Sequence, residues 1–354
     1  MWSAITRLSL GLFLIALASG VLLLSDMGRR TPSAQAMVPV AVVQHASQAV
    51  LDQGVQGMVE GLAERGFVDG KTVAITRFNA ENDLPTANAI AKSVSDGRFR
   101  LVLTGSTLSL QTVAAANREG KALHVFGLVT DPFGAGVGIS RDDPLNHPRH
   151  LVGYGTLQPV PEAFRFARQL YPALRTVGVV WNPTEANSEA STKLAREASR
   201  ELGLTLLEAN VENSSGVYEA TSSLIARGVQ ALWVGGDVTV LVALDAVLAA
   251  AKKSGIPVFS NVPPNVERGA LFGLGADYHE VGRLTGLLAG DVLRGTDPAT
   301  IPVKNLVPKT LMLNTQALKG LKDPWQISSE VLALADEIVD ETGVHKKGGA
   351  APLS

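Results

Sequence analysis

A chain of 354 residues exceeds what one ordinary hydrophobic core holds, so its length predicts two domains. A hydrophobic share of 46% with only 18% charged residues excludes a disordered protein. A formal net charge of −2, with no stripe of Lys and Arg, argues against a nucleic-acid partner, and the absence of cysteine excludes disulfides, thiolate metal sites, a cysteine nucleophile and a lipoprotein anchor.

The chain begins with one early cation, Arg7, followed by an uncharged, mostly apolar run from Leu8 to Leu24. That length falls between the core of a signal peptide and a marginal membrane span. Ala34-Gln35-Ala36 has the small-residue pattern of a cleavage site, although it stands about ten residues beyond the run. Residues 1–36 therefore read either as a cleaved signal peptide or as an uncleaved N-terminal membrane anchor. Both readings place the rest of the chain outside the cytoplasm.

From Val38 onward one unit repeats: a short β-branched strand, a polar turn, an amphipathic helix. Val40–Val43 leads to a helix near Leu51–Arg65, Val73–Phe78 to one near Pro85–Ser95, and Leu101–Thr104 to one near Leu108–Arg118. Val125–Val129 runs into "TDPFGAGVGISRDDPLNHPRH", whose Gly, Pro and Asp content reads as surface loop. The unit then resumes. Thr176–Trp181 precedes a helix from Ser188, Leu204–Leu207 precedes Val217–Arg227, and Ala231–Val234 precedes Val240–Lys253 and a strand at Val258–Phe259. Strands alternating with helices of this length predict βαβ units, hence two doubly wound parallel-sheet lobes. The tail "HKKGGAAPLS" reads as having no fixed structure.

In open α/β sheets ligands bind beyond the carboxyl ends of the strands. The polar residues at those ends are His45, Ser106, Thr107, Thr130 and Asp131 in the first series, and Asn182, Glu185, Asn187, Ser188, Asp237, Ser260 and Asn261 in the second. Helix starts favour an anion such as a carboxylate, and the three acids suit an ammonium group. The competing reading is capping: Ser, Thr, Asn and Asp are the usual N-cap residues of any αβ unit. Only "NPTEANS", Asn182 to Ser188, carries more polar groups than one cap needs. Catalytic patterns are missing. There is no P-loop, no G-x-S-x-G and no H-E-x-x-H, and His279-Glu280 lacks a second His at helical spacing. The residues describe a site that binds, with no enzyme activity, cofactor or metal expected.

"WNPTEANSEAS", "VENSSGVYEATSSL", "ALWVGGDVTVLVALDAVLAAAKKSGIPVFSN", "GALFGLGADYHEVGRLTG" and "VLRGTDPATIPV" together resemble the periplasmic ABC-transporter substrate-binding protein family that includes tryptophan- and tyrosine-binding members. The first half resembles it more loosely, through "LDQGVQGMVEGLAERGFVDGKTVAITRFNAEND" and "VTDPFGAGV". The resemblance implies a type I periplasmic-binding fold, two lobes closing on a small polar or zwitterionic solute. It puts Glu185, Asn187, Ser188 and Asp237 on one wall of the cleft and Thr130 and Asp131 on the other, while "TGSTLSLQ" and "QHASQAVLD" depart from the family's pattern. An aromatic amino-acid ligand would want a stacking surface, for which Phe133, Tyr154 and Tyr278 are the candidates by position.

The resemblance also implies three crossings between lobes, near Val152–Thr156, Ala276–Tyr278 and Ile301–Val303. Lobe 1 is then residues 37–155 and 278–302, lobe 2 residues 156–277 and 303–330, and residues 331–354 a C-terminal helix and tail. The implied partners are a small-molecule ligand and an ABC permease in the inner membrane, and the place is the periplasm, with or without an N-terminal tether. The alternative is a ligand-sensing module that presents its solute to a membrane receptor.

Overall fold

The structure, a computed structural model, describes residues 16–21 and 37–347. The apolar N-terminal run, the Ala34-Gln35-Ala36 pattern and residues 348–354 of the tail lie largely or wholly outside the described residues. Among the described residues no helix is long and apolar enough to cross a membrane.

The first lobe is built from β1 (Val38–Gln44), α1 (Ala49–Glu64), β2 (Val73–Asn79), α2 (Leu84–Val94), β3 (Leu101–Gly105), α3 (Thr107–Ala116), β4 (Leu123–Val129) and β5 (Leu151–Gly155). Its sheet is parallel throughout, in the order β11-β5-β4-β3-β1-β2, where β11 is Lys304–Asn305. Alternation along β1 explains why both faces are covered. Val40 and Val42 join Leu101, Leu103 and Val125 in one core, whereas Ala41 and Val43 point to the other face and pack with Ala91, Val94 and Val113.

The second lobe repeats the plan with α4 (Val160–Leu170), β6 (Thr176–Trp181), α5 (Ala186–Glu201), β7 (Thr205–Asn210), α6 (Val217–Ala226), β8 (Ala231–Val234), α7 (Val238–Val242), α8 (Leu244–Lys253), β9 (Val258–Ser260) and β10 (Phe272–Ala276). One face of its sheet carries an aromatic core in which Phe164 meets Trp233 and Phe259 edge-on at 5.5 and 5.3 Å. The chain then returns to the first lobe as α9 (Tyr278–Leu293), which packs against α1. Here glycine is required on both helices. A Cβ on Gly282 would stand 1.9 Å from the Gly54 carbonyl oxygen, and one on Gly57 would stand 2.1 Å from that of His279.

Each sheet reverses its strand order once. In the first the chain moves from β1 outward to β2 and then to the other side, β3; in the second it does the same at β6, β7 and β8. These two switch points, β1/β3 and β6/β8, are where doubly wound sheets open a crevice at their carboxyl ends.

Several expectations need correction. The second sheet is mixed, because β12 (Lys309–Asn314) runs antiparallel to β10. The C-terminal segment is not only helix and tail. After α10 (Ser329–Leu334) it adds β13 (Glu337–Asp340) and β14 (Gly343–Lys346) to the sheet edge, so the start of the "HKKGG" tail is a strand. The third crossing falls after Asn305, later than Ile301–Val303, since Lys304 and Asn305 still pair with β5 of the first lobe. The helix Val160–Leu170 was not anticipated by the strand–helix repeat, and the single helix expected over Val240–Lys253 is two, broken at Ala243.

Candidate interlobe binding site

The two switch points face each other across a cavity of about 430 Å³. From the first lobe, the end of β1 brings in His45, whose Nε2 donates to Asn82 Oδ1 at 2.8 Å with its Nδ1 left unpartnered. Burial holds the His45 pKa below its ordinary value. Asn82 reaches it from a left-handed backbone position, φ 62°, which Asn tolerates better than most residues. The end of β3 brings in Ser106 and Thr107 at the start of α3. Ser106 Oγ accepts the Ser109 N–H at 3.1 Å and so acts as the cap. Thr107 and Leu108 line the cleft at the positive end of the helix dipole, and their first-turn N–H groups have no intrahelical partner. The end of β4 supplies Thr130 and Leu128. Leu128 has a φ of 58°, inside a shift of the β4–β5 register, and its side chain lies against Gly54, where a Cβ would stand 2.3 Å from it.

From the second lobe, "NPTEANS" closes on the loop after β8. Glu185 accepts the backbone N–H groups of Val238 (2.8 Å) and Thr239 (2.9 Å) and the Thr239 hydroxyl (2.6 Å), and Asn187 Nδ2 donates to both Glu185 (3.0 Å) and the Gly236 carbonyl (2.8 Å). Asp237 accepts from Ser188 Oγ at 2.5 Å and from the N–H groups of Asn182 (2.6 Å) and Val240 (2.7 Å). Asn182 Nδ2 donates to Thr239 Oγ1 at 3.0 Å, and its Oδ1 accepts from Thr184. The two carboxylates therefore cap the start of α7 and stitch two loops together. Burial first, and the charge of Glu185 second, push the Asp237 pKa up to about 7.

The structure brings His45, Ser106, Thr107, Thr130, Asn182, Glu185, Asn187 and Tyr278 to this cavity. It places the other five elsewhere. Ser188 and Asp237 stand behind the wall, bonded to each other. Asp131 turns to Arg141, 2.6 Å away, in the loop that follows β4. Ser260 donates to the Val234 carbonyl, and Asn261 is fixed between Trp233 Nε1 and the Leu274 carbonyl, both in the core. Of the stacking candidates only Tyr278 lines the cavity; Phe133 lies beneath Arg141 and Tyr154 beneath Lys304.

The sequence reading missed the apolar wall. Leu51, Leu84, Leu108, Leu128 and Leu241 line the cavity, together with Gln48, Thr239 and Glu212. Leu51 falls in the periodic apolar pattern of its helix, which signals core packing and gives no separate sign of a ligand. Among the described residues none of the lining is Lys or Arg. Across the mouth, Gln48 Nε2 of the first lobe donates to the Val238 carbonyl of the second at 3.0 Å, so the lobes are closed on each other.

Two doubly wound lobes, three crossings and a lined crevice between the switch points define a type I periplasmic-binding protein. The chain matches the family model described as ABC transporter substrate binding protein over residues 39–339, and it belongs to that family, a class of solute-binding proteins and not of enzymes. A tyrosine-binding protein of Clostridioides difficile is 29% identical over 289 residues, 82% of this chain and 81% of that one. Among solved structures, a conserved domain protein from Vibrio cholerae is 28% identical with a TM-score of 0.78, covering 85% of this chain and 99% of that one. An ABC domain from Streptococcus pneumoniae in complex with L-Trp gives 24% and 0.76 over 85% and 100% of the two chains. A ligand-free, open substrate binding protein from Clostridium difficile gives 27% and 0.62 over 81% and 96%.

Proposed function

We propose that this protein is the extracytoplasmic solute-binding component of an ABC importer, and that its solute is an α-amino acid with a large apolar side chain. The observation that carries the reading is the polarity of the cleft. The start of α3 offers unpaired N–H groups on one side, the start of α7 is already capped by Glu185 and Asp237 on the other, and leucines lie between. A carboxylate suits the α3 end. An ammonium group suits the side carrying Glu185 and the Asn187 and Gly236 oxygens. Tyrosine and tryptophan relatives support an aromatic side chain, held here by leucine contacts and by little stacking.

Closure is a hinge motion of two bodies about the three crossings, with the ligand touching both walls. The closed protein would deliver the solute to a permease in the inner membrane. Residues 1–36, as a signal or a tether, would keep it on the outer side.

Calorimetric titration of the full-length chain against the common amino acids, tyramine and tryptamine tests this. L-tyrosine or L-tryptophan is expected to bind with micromolar affinity or better, and the amines lacking the carboxylate about ten-fold or more weakly, since a charged hydrogen-bond partner is lost. Absence of binding across the amino acids would refute the reading.

A further inference from the structure

Gln158 lies just beyond β5 and is buried at 3% exposure, between two of the crossings. Its Oε1 accepts the backbone N–H of Ala276, the last residue of β10, at 3.0 Å. Its Nε2 donates to the Thr156 carbonyl at 3.3 Å and to the hydroxyl of Tyr278, the first residue of α9, at 3.0 Å. A backbone N–H can only donate, so the amide has one orientation, with Oε1 toward Ala276 and the NH₂ toward Tyr278. Tyr278 must therefore accept from Gln158, and its own O–H hydrogen is left over. Among the described residues that hydrogen has no acceptor, and Tyr278 lines the cleft.

Burial pushes the Tyr278 pKa up to about 12, so the hydroxyl keeps its proton throughout the physiological range. Among the described residues the cleft lining has no Lys or Arg, so a carboxylate entering it is met there by neutral donors. We propose that Tyr278, oriented by Gln158, donates a hydrogen bond to the carboxylate of the bound solute, so that the hinge itself reads the ligand. The proposal rests on the amino-acid reading above. Gln158 is a positioning residue: it bridges the strand that leaves the first lobe and the strand that returns to it, and it sets the Tyr278 hydroxyl relative to both.

The test is calorimetric titration of the full-length chain with L-tyrosine, L-tryptophan and their carboxamides. Tyr278→Phe, Gln158→Leu, the double variant and Tyr154→Phe are compared with wild type. Tyr278→Phe is expected to lower affinity for the acids about ten-fold or more and for the neutral amides markedly less, because bonds to charged acceptors are the stronger ones. Gln158→Leu should weaken acid binding in the same direction, and the double variant should be no weaker than Tyr278→Phe alone. Tyr154→Phe, outside the cleft, should bind as wild type. Equal losses for acid and amide, or unchanged affinity in Tyr278→Phe with its unliganded melting point preserved, would overturn the proposal. If Gln158→Leu does not fold, the Tyr278→Phe comparison of acid with amide decides. Failure of wild type to bind any amino acid would remove the functional reading and this proposal together, whereas wild-type binding with an indifferent Tyr278→Phe removes the hinge donor alone.

Discussion

Asp237 shows how one side chain in this site can be pulled two ways. Burial first, and the neighbouring Glu185 charge second, raise its pKa to about 7, while Ser188, Asn182 and Val240 donate to it and favour the charged form. A folded-state pKa above the unfolded carboxylate value means that the folded chain holds the proton more tightly. The stabilisation from this group is complete below about pH 4 and is lost as the pH climbs through about 7. Wild type should therefore lose melting temperature between about pH 4 and 7.5, and Asp237→Asn, which cannot ionise, should flatten that decline in a scanning calorimetry series. Asp237→Ala leaves three buried donors unpaired and should cost about 3 kcal/mol or more in urea unfolding. At this scale the sequence displayed the right residues but not their partners. "NPTEANS" stood out because it held more polar groups than a cap needs, yet only the fold shows that Glu185 and Asp237 cap a helix more than fifty residues and one residue downstream respectively.

Among the elements, α1 and α9 form the closest pair. Residues more than two hundred positions apart come together along glycines, and the Gly282 Cα faces the Gly54 backbone where a methyl group would stand 1.9 Å from a carbonyl oxygen. Gly282→Ala must push the helices apart and is expected to cost about 2 kcal/mol or more, read by chemical denaturation. The helix boundaries themselves were largely legible, because period and capping are local: α6 and β8 were anticipated within a residue. Misplaced features had a non-local cause. The short helix α7 starts on the Asp237 and Glu185 caps, of which Glu185 comes from a distant loop, and β13 and β14 are strands because β12 presents an open sheet edge.

For the whole molecule the decisive variable is the angle between the lobes. Gln48 to Val238 is a direct bond between the two lobes, and opening the cleft would have to break it. Gln48→Ala should shift the unliganded protein toward the open state and weaken ligand binding about five-fold, the equivalent of one net hydrogen bond of about 1 kcal/mol. Small-angle scattering would show a larger radius of gyration without ligand, and unchanged scattering together with unchanged affinity would deny the bond a role in closure.

The amino-acid sequence by itself determined the repeat of strand, turn and helix, the two-lobe class and the polar loops at the strand ends, since each rests on periodicity or on residues adjacent in the chain. Tertiary structure alone decided which of those polar groups face the cleft. Asp237, Ser188, Ser260 and Asn261 look the same in sequence as Thr107, but their hydrogen bonds close on the protein behind the wall, whereas Thr107 lines the cavity. The leucine wall was decided there too, because an apolar side chain that lines a cavity and one that fills a core obey the same pattern until the space beside them is known.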